Sequence, residues 1–253
     1  LFEVARNEGL TCFSSPFDKS AVDLLEELDC PIYKIASFEI QDIPLIEYIA
    51  SKGKPMIFST GIATLKDIEL AVETCYNHKN KNIALLKCTS AYPAPFNEAN
   101  LKTIIDLKSR FNIPIGFSDH TIGNTAAIVA YSLGARIIEK HFILDRSIGG
   151  PDASFSLNEQ EFKAMVDSIR EAEDLLGEVS YKRSKRVEKN LKFARSLFVV
   201  KDIKKGESFS NDNVRSIRPG NGMHPKYYNK VLTKKAIIDL KKGTPLSWSH
   251  ISE

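Results

Sequence analysis

The sequence lacks the usual marks of a disulfide framework, a membrane protein or a polyanion binder. Its four cysteines, Cys12, Cys30, Cys75 and Cys88, form neither a C-x-x-C pair nor a dense pattern, which argues for free thiols in the cytoplasm. No apolar run approaches the roughly 18 residues that a spanning helix needs. Basic and acidic side chains nearly balance, 35 against 32, and the net charge of +3 gives no reason to expect a nucleic-acid partner. There is no G-x-G-x-x-G and no P-loop, so the standard phosphate-binding signatures of nucleotide folds are missing.

The 253 residues are 43% hydrophobic and 26% charged, ordinary for a globular chain. Six short apolar runs recur: LTCFSS (10–15), PIYKIAS (31–37), KPMIFST (54–60), IALLKCT (83–89), IPIGFSD (113–119) and RIIEKHF (136–142). They are near-continuous, as parallel strands covered on both faces are. Between them the spacing predicts helices over 19–29, 64–75, 100–111 and 124–135, the first with Val22, Leu25 and Leu28 on one face. Thr64 and Asp67 resemble a capping box, as do Asn158 and Glu161 before a further helix over 159–176. Strand alternating with helix means βα units.

The strand ends carry the chemistry. Five runs close on small polar or charged residues, and the sixth closes on Glu139, Lys140 and His141. Ionisable groups are costly at a buried strand end unless they are solvated or used. In a β/α barrel all such ends meet at one rim, where sites are built; an open doubly wound sheet would spread them along an edge. The reading is therefore a (β/α)8 barrel. About six units are present, and the start at Leu1 rather than Met leads us to expect two more units upstream of it.

The barrel is expected over 1–177, a basic and polar linker over 178–196, and a small β-rich domain over 197–253. In that tail D-I-K-K-G at 202–206 recurs as D-L-K-K-G at 239–243, a two-fold repeat of short strands around a Gly turn. A domain of about 60 residues is marginal alone and gains from docking.

His120 and His141 end successive strands. Neighbouring strands lie about 4.8 Å apart, so both imidazoles can reach one point. Two neutral imidazoles suit a divalent Mn, Fe, Co or Zn with open positions; the alternative is that each merely hydrogen-bonds at the rim. An inward lysine, Lys34 or Lys87, can form a Schiff base or hold a phosphate or carboxylate as a cation. The rim hydroxyls Ser15, Ser37, Ser59, Thr60, Ser90 and Ser118 suit phosphate oxygens, and Glu39 is placed to exchange protons. GGPDASFS (149–156) and IRPGNGMH (217–224) read as shaped turns carrying Asp152 and Arg218.

Together FSSPFD, YKIASFE, FSTG, CTSAYPAP, GFSDHT, EKHF, GPD, KDIKKGE and RPGNG resemble the sialic-acid synthase family, the phosphoenolpyruvate-dependent nonulosonate synthases, over the whole chain. CTSAYPAPF and EKHFILDRSIGGPDASFSL are most similar to its pseudaminic-acid branch; the sialic-acid branch has Asn where Ser90 stands. The resemblance implies a TIM-type barrel followed by an antifreeze-like (SAF) domain, in a domain-swapped homodimer whose SAF domain covers the partner's site. It implies a divalent metal on His120 and His141, manganese above all, with magnesium or cobalt as substitutes. Lys34, Ser37, Ser90 and Ser118 would contact phosphoenolpyruvate. Glu39 would transfer protons, Tyr92 and Asp152 would face an amino-sugar aldehyde, and Arg218 would reach across from the partner. The product would be pseudaminic acid, with N-acetylneuraminate or legionaminate as alternatives. Two readings of other classes stand beside it: a metal-free Schiff-base aldolase and a non-catalytic carbohydrate-binding module.

Overall fold

The computed structural model describes residues 1–252. Backbone contacts divide the chain into two units, Leu1–Glu178 and Val179–Glu253.

In the first unit the chain alternates strand and helix: α1 (Phe2–Asn7), α2 (Lys19–Glu27), β1 (Tyr33–Ile35), α3 (Ile43–Ala50), β2 (Met56–Ser59), α4 (Leu65–Asn77), β3 (Ile83–Cys88), α5 (Thr103–Phe111), β4 (Ile115–Asp119), α6 (Thr125–Ser132), β5 (Ile138–Lys140) and α7 (Glu159–Leu176). The strands form one parallel sheet in chain order, β1-β2-β3-β4-β5. This is the strand order of a TIM-type barrel wall. Where the sequence predicts a sixth strand over 10–15, Ser14 alone bridges to Tyr33. That run has a neighbour on one side only among the described residues, and most of it is exposed.

Side chains alternate across each strand, and this sorts the sheet into two faces. Tyr33, Ile35, Phe58, Leu85 and Phe117 are fully buried in the core cluster, together with residues of α2 to α5. Lys34, Ser59, Cys88, Ser118 and Glu139 alternate with those strand positions and share the opposite face. Two helices begin at the capping boxes read from the sequence, while α5 starts at Thr103, three residues later than expected. Thr64 and Asp67 cap α4 reciprocally, and Asn158 and Glu161 cap α7. Leu28 departs from its expected place: it ends α2 and is exposed, while Val22 and Leu25 are buried.

Asp119 and Lys140 are register partners on β4 and β5. Their side chains are 0% and 1% exposed and meet at 2.8 Å. Asp119 also accepts from the Thr121 amide, and Lys140 also donates to the Thr121 carbonyl. Of the ionisable groups that close the last two strands, these two therefore serve structure, each satisfied by the other and by backbone.

In the second unit the segment expected as a linker carries α8 (Lys185–Lys189), started by the Ser184 side chain. β6 (Ser196–Val199) pairs antiparallel with β7 (Val214–Ile217), and α9 (Tyr228–Leu232) follows. The sequence repeat is a reciprocal clasp. Ile203 and Leu240 exchange backbone hydrogen bonds at 2.8 Å. Asp202 accepts from the Lys242 amide and Lys241 Nζ, while Asp239 accepts from the Lys205 amide and Lys204 Nζ. Each aspartate thus ties down the other repeat's turn. Gly206 and Gly243 close those turns at φ +86° and +91°, a region that side-chain-bearing residues avoid. Leu197, Ile203, Val214, Leu240 and Leu246 fill a core of their own.

Candidate active site

The polar face of the sheet opens at its C-terminal edge into a cavity of about 300 Å³. Lys34 lies on its floor. Its Nζ donates to Ser59 Oγ at 2.7 Å and to the Ile35 carbonyl at 3.2 Å, and stands 3.7 Å from Glu139 Oε2. Burial pushes the Lys34 ammonium below its ordinary range, and the Glu139 charge opposes that shift. Ser118 Oγ donates to Glu139 Oε1 at 2.6 Å. The cavity floor is thus a cation, a carboxylate and two hydroxyls already bonded to one another.

Ser37 and Ser90 form a second group. Ser90 Oγ donates to Ser37 Oγ at 2.8 Å, and Ser37 Oγ also accepts from the Ile62 amide at 3.0 Å. Gly61 makes this possible, because a Cβ there would sit 2.1 Å from Ser90 Oγ and 2.6 Å from Ser37 Oγ.

The two imidazoles stand above, with ring centroids 5.2 Å apart. His120 Nδ1 lies 2.9 Å from the Thr89 carbonyl. A carbonyl can only accept, so Nδ1 carries the proton and Nε2 keeps its lone pair. Burial, and secondarily the neighbouring His141, push His120 below the ordinary imidazole value; the Thr89 bond opposes them. Neutral imidazole is the form a metal binds. His141 Nδ1 lies 3.4 Å from Asp152 Oδ2. A ring nitrogen bonded to a carbonyl is the usual support of a histidine ligand; His120 has that support and His141 stands beside it, so the pair fits a divalent ion. Among the described residues no third His, Cys, Asp or Glu completes a ligand cluster. The Tyr92 ring lies 4.3 Å from that of His120 at a tilt of 39°, and Phe155 lies 5.0 Å from His141.

Lys34, Ser37, Ser59, Tyr92, Ser118, His120 and His141 line one cavity; Ser90 reaches it through Ser37, and Asp152 through His141. Glu39 ends the turn after β1 outside that lining, with Oε2 buried and unbonded. Arg218 is exposed after β7 in the second unit. Lys87, one of the two lysines considered for a Schiff base, lies on the helix face in a different cavity. Sequence reasoning left Glu139 without a role. Strand alternation held the signal: Glu139 and His141 share a face with Ser118 and His120, while Asp119 and Lys140 point away.

The profile of the NeuB family matches residues 1–181, and that of the SAF domain residues 194–252. The chain is 50% identical over 246 residues to a pseudaminic acid synthase of Campylobacter jejuni, covering 97% of this chain and 72% of that protein. It is 49% identical over 252 residues to the pseudaminic acid synthase of Helicobacter pylori, covering 99% and 74%. A crystal structure of a spore coat polysaccharide biosynthesis protein from Bacillus subtilis superposes with a TM-score of 0.67 at 36% identity, covering 100% of this chain and 76% of that one. An N-acetylneuraminic acid synthetase from Leptospira borgpetersenii, in complex with citrate, gives 0.70 at 33% identity, covering 76% and 67%.

Proposed function

The chain belongs to the NeuB family and carries a SAF domain, and on that premise we propose that it condenses phosphoenolpyruvate with a 2,4-diacetamido-2,4,6-trideoxy hexose and water, giving pseudaminic acid and phosphate. It is a phosphoenolpyruvate-dependent sugar-acid synthase. One observation carries the substrate reading: a chain half identical to a pseudaminic acid synthase places a lysine, a carboxylate and a set of hydroxyls beneath two adjacent imidazoles.

In the reaction C3 of phosphoenolpyruvate bonds to the aldehyde carbon, water oxygen adds at C2, and the C2–O bond breaks to release phosphate. Lys34 and the hydroxyls of Ser37, Ser59, Ser90 and Ser118 are the groups we assign to the carboxylate and phosphate of phosphoenolpyruvate. Held there, its C3 meets the aldehyde in a near-unimolecular step. Glu139 is the carboxylate on the cavity floor, and we assign to it the proton that water gives up; the family resemblance points to Glu39 for proton transfer. Tyr92 and Asp152 are assigned to the sugar. His120 and His141 would hold a divalent ion, manganese by preference, through Nε2. When bound, that ion supplies a Lewis acid for the aldehyde oxygen.

We also propose a homodimer in which the SAF domain of one copy brings Arg218 to the cavity of the other, and action in the cytoplasm. Among the described residues no helix is long and apolar enough to cross a membrane. Sedimentation tests the dimer. Restored activity on mixing inactive R218A with inactive H141A tests the shared site.

The deciding assay is phosphate release from phosphoenolpyruvate with the pseudaminic precursor, its legionaminic stereoisomer and N-acetylmannosamine. Preference for either of the others overturns the substrate reading. Run in ¹⁸O-water, the label belongs in the C2 oxygen of the product; label in phosphate refutes C–O cleavage. Borohydride trapping of Lys34 would instead establish the aldolase.

A further inference from the structure

Lys87 is buried, at 9% exposure, and plays no part in the reaction described above. It lies on the helix face of β3, in a cavity of about 210 Å³ shared with Leu65 of α4 and with Thr103 and Asp106 of α5, where Asp106 pairs instead with Arg110 at 2.7 Å. Among the described residues its ammonium makes no salt bridge, and burial pushes it below the ordinary lysine range. A buried charge without a counter-charge is costly, and an apolar side chain would fill the same space without that cost. What the lysine adds is its donors.

Those donors go to two places. Nζ donates to the Cys88 carbonyl and, at 3.2 Å, to Thr89 Oγ1. Thr89 Oγ1 passes a hydrogen bond on to the Glu98 carbonyl at 3.2 Å. The carbonyl of the same Thr89 receives the Nδ1 proton of His120 at 2.9 Å, and the Ala94 amide donates to the His120 carbonyl at 2.9 Å. The segment 89–94 is therefore tied to His120 at both ends, and Lys87 pins its start from the far side of the sheet.

We propose that Lys87 is a positioning residue for His120: by fixing the Cys88–Thr89 backbone it holds the Thr89 carbonyl where it binds Nδ1–H and leaves Nε2 directed into the active-site cavity. The idea rests on the reading of His120 as a metal ligand. It adds that the ligand's orientation is set from the opposite face of the strand, by a residue that touches neither metal nor substrate.

The test is calorimetric titration of Mn²⁺ into the metal-stripped full chain, which needs no turnover. Loss of a group bonded to a histidine ligand typically weakens metal binding about 10-fold to 100-fold, and Lys87 stands one bond farther out, so K87M is expected to weaken it about threefold to tenfold. T89V keeps the carbonyl but removes the hydroxyl that Lys87 grips, and is expected to do the same. It decides the matter if K87M fails to fold. H120A separates the two layers of the argument. If H120A abolishes binding while K87M and T89V bind as the parent does, Lys87 is not a positioning residue. If H120A binds Mn²⁺ normally, the metal reading itself has failed.

Discussion

Ser118 and Glu139 are register partners on β4 and β5, joined by a hydrogen bond of 2.6 Å, with Lys34 Nζ 3.7 Å from the second Glu139 oxygen. Glu139 is therefore both the carboxylate of the cavity and a support for the Lys34 charge. E139Q keeps the shape and removes the charge. Loss of a general base typically costs about 100-fold to 10,000-fold, and kcat should fall within that range. Lys34, already lowered by burial, should lose its proton at a still lower pH. The alkaline limb of the kcat/KM profile should then move toward neutrality in E139Q and move less in E39Q. Profiles of parent and E139Q with the same alkaline limb would remove Glu139 from the Lys34 pair.

The Asp119–Lys140 pair predicts a non-additive stability cycle. Both side chains are essentially without solvent. Removing one partner strands the other, at about 3–5 kcal/mol, whereas replacing both with apolar residues of like volume is close to neutral. D119L and K140M should each fall in that range by urea unfolding, and D119L/K140M should recover most of the loss. Additive single effects would mean that the two charges do not depend on each other.

Gly61 predicts a binding defect separate from chemistry. A methyl group there enters the space of Ser37 and Ser90 Oγ, so G61A should break their mutual hydrogen bond. KM for phosphoenolpyruvate should rise about tenfold, the effect of roughly 1.4 kcal/mol of lost binding, with a smaller change in kcat. Steady-state kinetics with varied phosphoenolpyruvate reads both. An unchanged KM would place phosphoenolpyruvate away from these hydroxyls.

Lys34 also shapes stability against pH. Its folded pKa lies below the ordinary 10.5, so between the two values the unfolded chain binds more protons, and stability rises with pH. Below that window the full penalty of the buried charge applies. Cys75, pushed up to about 12 by burial, acts oppositely above the ordinary thiol value, so the informative quantity is the difference between parent and K34M. The parent should gain on K34M as pH climbs toward 10.5; a constant difference between denaturation curves would show that burial does not depress Lys34.

Much of the fold could be read from local periods. Near-continuous apolar runs marked buried parallel strands, and the Thr64 and Asn158 boxes marked helix starts, because these signals depend only on neighbours within a turn or two. The run over 10–15 misled for the same reason. Its composition is that of a strand, but pairing needs neighbours, and only Ser14 makes a bridge. The D-I-K-K-G repeat announced two similar turns without revealing that each aspartate binds the other repeat's turn, 34 to 40 residues away.

The sequence by itself determined which residue types end each strand and, through the two-residue period, which face each must take: Lys34, Ser118 and Glu139 to one side, Lys87, Asp119 and Lys140 to the other. Only the tertiary structure decided which of them meet. Glu139 bonds to Ser118, His120 leans on the Thr89 carbonyl, and the two imidazoles stand 5.2 Å apart. Those distances depend on register and loop path between segments 21 to 31 residues apart, and register is set by how whole faces pack, which no local window contains.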